Sequence, residues 1–136
     1  MSCRRPHAGW PYPERPRMNK VMKVLLNLCR LLVVLQLVMG IAMWMGQGAG
    51  FLNAHMGLGL LFVVLVIAFA AMGGAAGAPK SLVWVTVIWG IITATVGMGQ
   101  TRVLVGDSHW IIQLVHLFLG LGMQGQAERI GRALKR

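Results

Sequence analysis

Four long apolar runs dominate this chain: Leu31 to Met45, Phe51 to Met72, Leu82 to Met98 and Trp110 to Met123. Each approaches the roughly 20 residues that an α-helix needs to cross a hydrocarbon layer. In 136 residues, 57% of them hydrophobic and 12% charged, little polar sequence is left to cover these runs in water. The pattern predicts an all-α membrane protein with four transmembrane helices in an up-down-up-down bundle, because short connections force neighbouring helices to run antiparallel. Spans are expected at about 24-45, 51-72, 81-98 and 109-126.

The formal net charge of +10 would suggest nucleic acid in a water-soluble chain. Here the basic residues flank apolar segments, with no aromatic residues interleaved on a basic face, so nucleic acid is not expected as a partner. Seven Lys or Arg lie at or before Arg30, one at Lys80 and four after Ala127, while the other two connections together hold only Arg102. The positive-inside rule then places both termini and the Lys80 connection in the cytoplasm, in a bacterial inner membrane. Cys3 and Cys29 fall on the reducing side, where a structural disulfide does not form readily.

Residues 1-19 hold four of the five prolines and read as a disordered basic cytoplasmic tail. Met18 is an alternative start, and a cleaved signal peptide is a competing reading of the basic-then-apolar order. The bundle is expected over 20-128, with Lys23 and Arg30 reaching for headgroups and Asp107 or Ser108 capping the last helix. Residues 129-136 read as a second basic tail at an anionic lipid surface. A short repeat, "GIAMWMGQ" before His55 and "GIITATVGMGQ" before His109, suggests two related hairpins.

Each span carries one stripe of small and polar residues at helical spacing. The stripes are Gln36, Gly40 and Gln47; His55 and Gly59; Thr86, Gly90, Thr93 and Gly97; and His109, Gln113, His116, Gly120 and Gln124. Small-residue faces let membrane helices approach closely, which accounts for the glycines and threonines without further function. Histidine inside a span is costly unless it faces the bundle interior and has a partner. His55, His109 and His116 are all placed toward one surface of the membrane by this topology.

Neutral imidazole is the usual axial ligand of a b-type haem, and ligands from facing helices are a recurrent way to build such a site in a bundle. His55 with His116 is the favoured pair and His55 with His109 the alternative. Gly57, Gly59, Gly90, Gly97 and Gly120 are candidates for making room, and Gln113 for orienting an imidazole. No Cys-x-x-Cys-His motif supports covalent haem attachment, and a three-histidine zinc site would lack a fourth protein ligand. The tryptophans read as interface or packing residues, and the ten methionines as gap fillers rather than copper ligands.

"LNAHMGLG" opening the second span and "HWIIQLVHLFLG" opening the fourth resemble small bacterial four-helix membrane b-type cytochromes, broadly cytochrome b561-like. The resemblance covers roughly residues 24 to 128. It implies haem b held between histidines of different helices, and electron exchange with quinone or with a larger respiratory or photosynthetic membrane complex. Two-haem members use four ligands at two depths, whereas three histidines in one leaflet imply one haem. A cofactor-free structural or assembly subunit is the second reading, and a small transporter with a His109 and His116 relay the third. No nucleophile-base set, P-loop or dinucleotide fingerprint points to a soluble enzyme.

Overall fold

The computed structural model describes residues 17–135, so Cys3 and most of the Pro-rich segment lie outside the described residues. Four helices follow one another: α1 (Lys20–Trp44), α2 (Leu52–Ala75), α3 (Lys80–Gly99) and α4 (His109–Ala133). Short 3-10 turns, Ala49–Phe51 just before α2 and Gln100–Arg102 just after α3, lie in the α1–α2 and α3–α4 connections. Three helices, α1 to α3, are long and apolar enough to cross a membrane. At 25 residues α4 matches α1 in length. It falls short in apolarity, because His109, Gln113, His116, Gln124, Gln126 and Glu128 all lie within it.

Local chemistry explains several helix boundaries. Asn19 caps α1, its side chain accepting from the Met22 N–H at 2.8 Å, a cap the apolar pattern did not indicate. Pro79 sits at the N-cap of α3, where its fixed φ starts a helix and its missing N–H costs nothing. Gly77, at φ 98°, makes the reversal before it. Ser108 occupies the N-cap of α4 as expected, but its side chain bonds none of the free N–H groups.

The helices form a ring in the order α1, α2, α3, α4, with α2 and α4 also touching across the middle while α1 and α3 stay apart. Contacts fix the antiparallel order. Gly131 near the end of α4 lies by Leu26 near the start of α1 and Phe69 near the end of α2, while Gly40 late in α1 lies by His55 early in α2. One end of the bundle therefore carries the start of α1 and the end of α4, called the terminal end, and the other, the distal end, carries the two longer connections.

The two halves are built differently. Buried residues collect at the terminal end, where Met22, Leu26, Cys29 and Leu32 of α1 meet Phe62, Val66 and Phe69 of α2 and Met123, Ala127 and Ile130 of α4. Met18 and Leu134 join this core from just outside α1 and α4. The described end of the N-terminal segment is thus packed, and α4 continues through the basic tail to Ala133. Between helices in lipid, such contacts act through close packing, since lipid tails are as apolar as leucine. Gly73 permits one of them: a Cβ there would lie 2.5 Å from Ile130 Cγ2.

The buried residues of α3 are Thr86, Gly90 and Thr93, three of the four in its small-residue stripe. Both threonines donate to the carbonyl four residues back, Leu82 and Trp89, at 2.8 Å. Such bonds satisfy the hydroxyl without tying helices together. Thr93→Val, nearly isosteric, is therefore expected to change stability by less than about 1 kcal/mol in detergent melts. A loss several times larger would show that the hydroxyl makes a cross-helix bond.

Arg30, expected to snorkel, instead bridges α1 to α4. Its Nε and one terminal nitrogen donate to the two Glu128 oxygens at 2.6 and 2.9 Å, and its other terminal nitrogen donates to Asn27 at 2.8 Å. Gln124 adds a bond to Glu128 at 3.1 Å. The hydrogen bond from Arg30 holds the Glu128 carboxyl below the usual carboxylate range. Stability from the pair is therefore full above the unfolded carboxyl pKa and is lost as pH falls through the depressed folded value. Both partners are partly exposed, so the contribution is about 1 kcal/mol or less. Glu128→Gln should flatten the acid limb of a stability-against-pH curve, and an unchanged limb would assign it to other groups.

Candidate functional site

The apolar face that packs the terminal half turns polar in the distal half without changing helical register. On α1 the stripe Met22, Leu26, Cys29 and Val33 continues as Gln36 and Gly40; on α4, Leu134, Ile130, Ala127 and Met123 lead back to Gly120, His116 and Gln113. Here α1 and α4 separate and leave a cleft of about 320 Å³. Of the adjacent pairs, α1 and α4 are the one not joined by a direct connection. Val33, Leu37, Ile41, Leu117 and Leu121 form apolar walls, and His55, Gln36, Gln100, Gln113 and His116 are the polar lining.

His55 and His116 come together from α2 and α4, with ring centroids 6.3 Å apart and planes at 66°. Neither ring has a hydrogen-bond partner among the described residues, and Nδ1 of each is buried. Gln36 Oε1 and Gln100 Oε1 are likewise buried without a partner. An unpaired buried polar atom costs on the order of 1–3 kcal/mol, so four of them in one small cleft is a concentrated cost. The terminal half fills its seam mainly with apolar side chains, with Gln124 Oε1 and Gln126 Oε1 on α4 the buried oxygens there that lack a partner among the described residues.

His109 stands apart. It is half-buried at the start of α4, with Nδ1 3.4 Å from the Val103 carbonyl, and it does not line the cleft. Depth and the short sequence repeat keep His55 with His109 open as the alternative pair; the rings that come together are those of the favoured pair, His55 and His116. Among the described residues, no three His, Cys, Asp or Glu side chains come together to hold a metal ion. A metal at the two rings would have two protein ligands.

The glycines divide by what they make room for. Gly120 and Gly40 line the cleft. Gly59 lies instead under Gln36, whose Nε2 occupies the space that a Cβ would take. Gly97 seats His116: a Cβ there would fall 2.7 Å from ring Cε1. Gly90 accommodates Met123 and Ile67 in ordinary helix packing, and nothing lies within 4 Å of a Cβ at Gly57. Gln113 lines the cleft without a hydrogen bond to either imidazole.

Two features were not singled out from sequence. Gln100 enters the cleft from the 3-10 turn after α3, and its place at the end of the repeated "MGQ" was the available signal. Trp89 donates to the Leu119 carbonyl at 2.8 Å, and Gly122 leaves room for its ring, so this tryptophan pins α3 to α4. Trp84 and Trp110 are exposed on the bundle exterior, whereas Trp44, also partly exposed, lines the cleft.

An all-helical bundle with three membrane-capable helices and a two-histidine cleft is the class that fold and site define. Comparison with protein-family models, curated proteins and solved structures found no match.

Proposed function

We propose that the chain is an integral membrane protein of four spans that binds one haem b between His55 and His116 and serves electron transfer. The observation that carries this reading is the pair of partnerless imidazoles, 6.3 Å apart, lining an apolar cleft. His55 and His116 would hold the iron from separate helices, each through a ring that has no other partner among the described residues. The donor set would suit haem better than a bare ion, because only two side chains, His55 and His116, offer ligands and no third His, Cys, Asp or Glu joins them among the described residues.

When bound with two imidazole ligands, haem supplies reversible one-electron transfer at iron. The chain's own residues supply the environment. Neutral imidazoles of His55 and His116 offer lone pairs from separate helices. Val33, Leu37, Ile41, Leu117 and Leu121 keep water from the cleft, while Gln100 and Gln113 offer amide N–H donors. The exposed face of α4, including Ile111, Val115, Phe118 and Leu121, is apolar. That favours lipid contact and a fourth span despite the polar residues facing inward.

The basic residues at the start of α1 and the end of α4 favour the cytoplasmic side for that end of the bundle, which would set the cleft toward the outer side of a bacterial inner membrane. Its opening between α1 and α4 faces the bilayer, so a quinone or a neighbouring redox subunit can approach from the side. Haem extracted from protein purified from haem-replete cells should approach one b-type haem per chain. Protein that is folded and haem-free under those conditions would instead favour the cofactor-free structural subunit, with the cleft filled by a partner's helix.

A further inference from the structure

We infer that Gln36 is the positioning residue for the His55 imidazole, anchored on the backbone of α2 through a seat provided by Gly59. This rests on the reading of His55 as a ligand. Gln36 Nε2 donates to the His55 backbone carbonyl at 2.8 Å, linking α1 to the very residue that carries the ring. In a regular helix that carbonyl also accepts from the N–H four residues on, which belongs to Gly59. The amide is therefore not needed to satisfy α2. Its effect is to fix the register of α1 against His55.

Gly59 is the second half of the device. A Cβ at that position would overlap Gln36 Nε2, so glycine one turn beyond the histidine is what lets the amide lie on α2. The bond also settles the orientation of the amide: with Nε2 donating to a carbonyl, Oε1 is the free end. That oxygen is buried without a donor, and His55 Nδ1 is buried without a partner. Leucine here would pack the seam without the penalty of an unpaired carbonyl, so the glutamine is costly for packing alone.

Ligation resolves the cost. An imidazole that binds metal through one nitrogen carries its proton on the other, and that N–H needs an acceptor to fix the ring and raise its basicity. Gln36 Oε1 is an unused acceptor on the neighbouring helix, held by its own anchored amide. With the proton on Nδ1, Gln36 Oε1 is the acceptor we assign to it.

The test combines Gln36→Leu, Gly59→Ala and the double variant. In haem-loaded protein, Gln36→Leu should speed haem loss about 10- to 100-fold and raise the midpoint potential, because a less basic ligand favours reduced iron. Gly59→Ala should reproduce both effects alone and add nothing in the Gln36→Leu background. An unchanged potential in Gln36→Leu, or full additivity of the two substitutions, would overturn the assignment. Haem-free protein labelled with 15N-histidine provides a separate arm, in which Gln36→Leu should move the His55 ring resonances and leave those of His116 in place. If the parent protein takes up no haem while this shift occurs, the haem reading fails and the positioning role stands; absence of the selective shift defeats the positioning role itself.

Discussion

His116→Ala is expected to abolish the low-spin b-type spectrum while leaving the haem-free bundle as stable as its parent. The ring belongs to the α4 stripe at the open end of the α1–α4 seam, away from the packed terminal core. It makes no hydrogen bond among the described residues, so truncation removes an unpaired polar group and enlarges a cleft that already exists. The change in apoprotein stability should stay within about 1 kcal/mol. If haem is bound as proposed, removing one of its two imidazoles would weaken haem binding far more than the bundle, because only one protein ligand would remain. His55→Ala should behave alike, and His109→Ala should leave the spectrum intact. If His109→Ala removes the spectrum and His116→Ala does not, the ligand pair has been misassigned.

Gly97→Ala should produce the next largest effect, through a single methyl group. The added Cβ would lie 2.7 Å from His116 Cε1, 3.3 Å from Nδ1 and 3.4 Å from Nε2. Since the nearest atom belongs to a ring on an adjacent helix, that ring must move off its position relative to His55. Displacement of a ligand's supporting contact typically costs about 10- to 100-fold in metal-group affinity. The control is Gly57→Ala, away from the cleft lining, where nothing lies within 4 Å of the new Cβ. Haem retention should fall sharply in the first variant and little in the second. Equal retention in both would show that His116 has freedom to move and that Gly97 does not seat it.

Much of the bundle was legible because membrane-length apolar runs specify helices on their own, and each interior stripe was visible at helical spacing. Thr86, Gly90 and Thr93 illustrate this: all three were picked out by periodicity, and they are the buried residues of α3. The partition of histidines was harder. Periodicity gave the α4 face but not how far α2 and α4 are shifted along one another, and a shift of two turns exchanges His109 for His116. The repeat motif added a local equivalence that tertiary packing does not respect.

Glycine roles were less legible still. A missing Cβ can serve a cofactor, a helix crossing or a neighbour's side chain, and only coordinates distinguish Gly59 under Gln36 from Gly120 on the cleft wall. Arg30 and Glu128 show the same limit for charges. Their positions are 98 residues apart, and nothing local in either segment indicates that an arginine placed to reach headgroups would form a two-bond bridge across the α1–α4 seam.

The central claim is that His55 and His116 share one haem iron, and the reduced-minus-oxidised spectrum of the parent protein purified in detergent tests it most directly. A sharp b-type α-band, present in the parent and in His109→Ala but lost in both His55→Ala and His116→Ala, is the predicted result. A folded parent protein with no such band, even after haem supplementation, would contradict it.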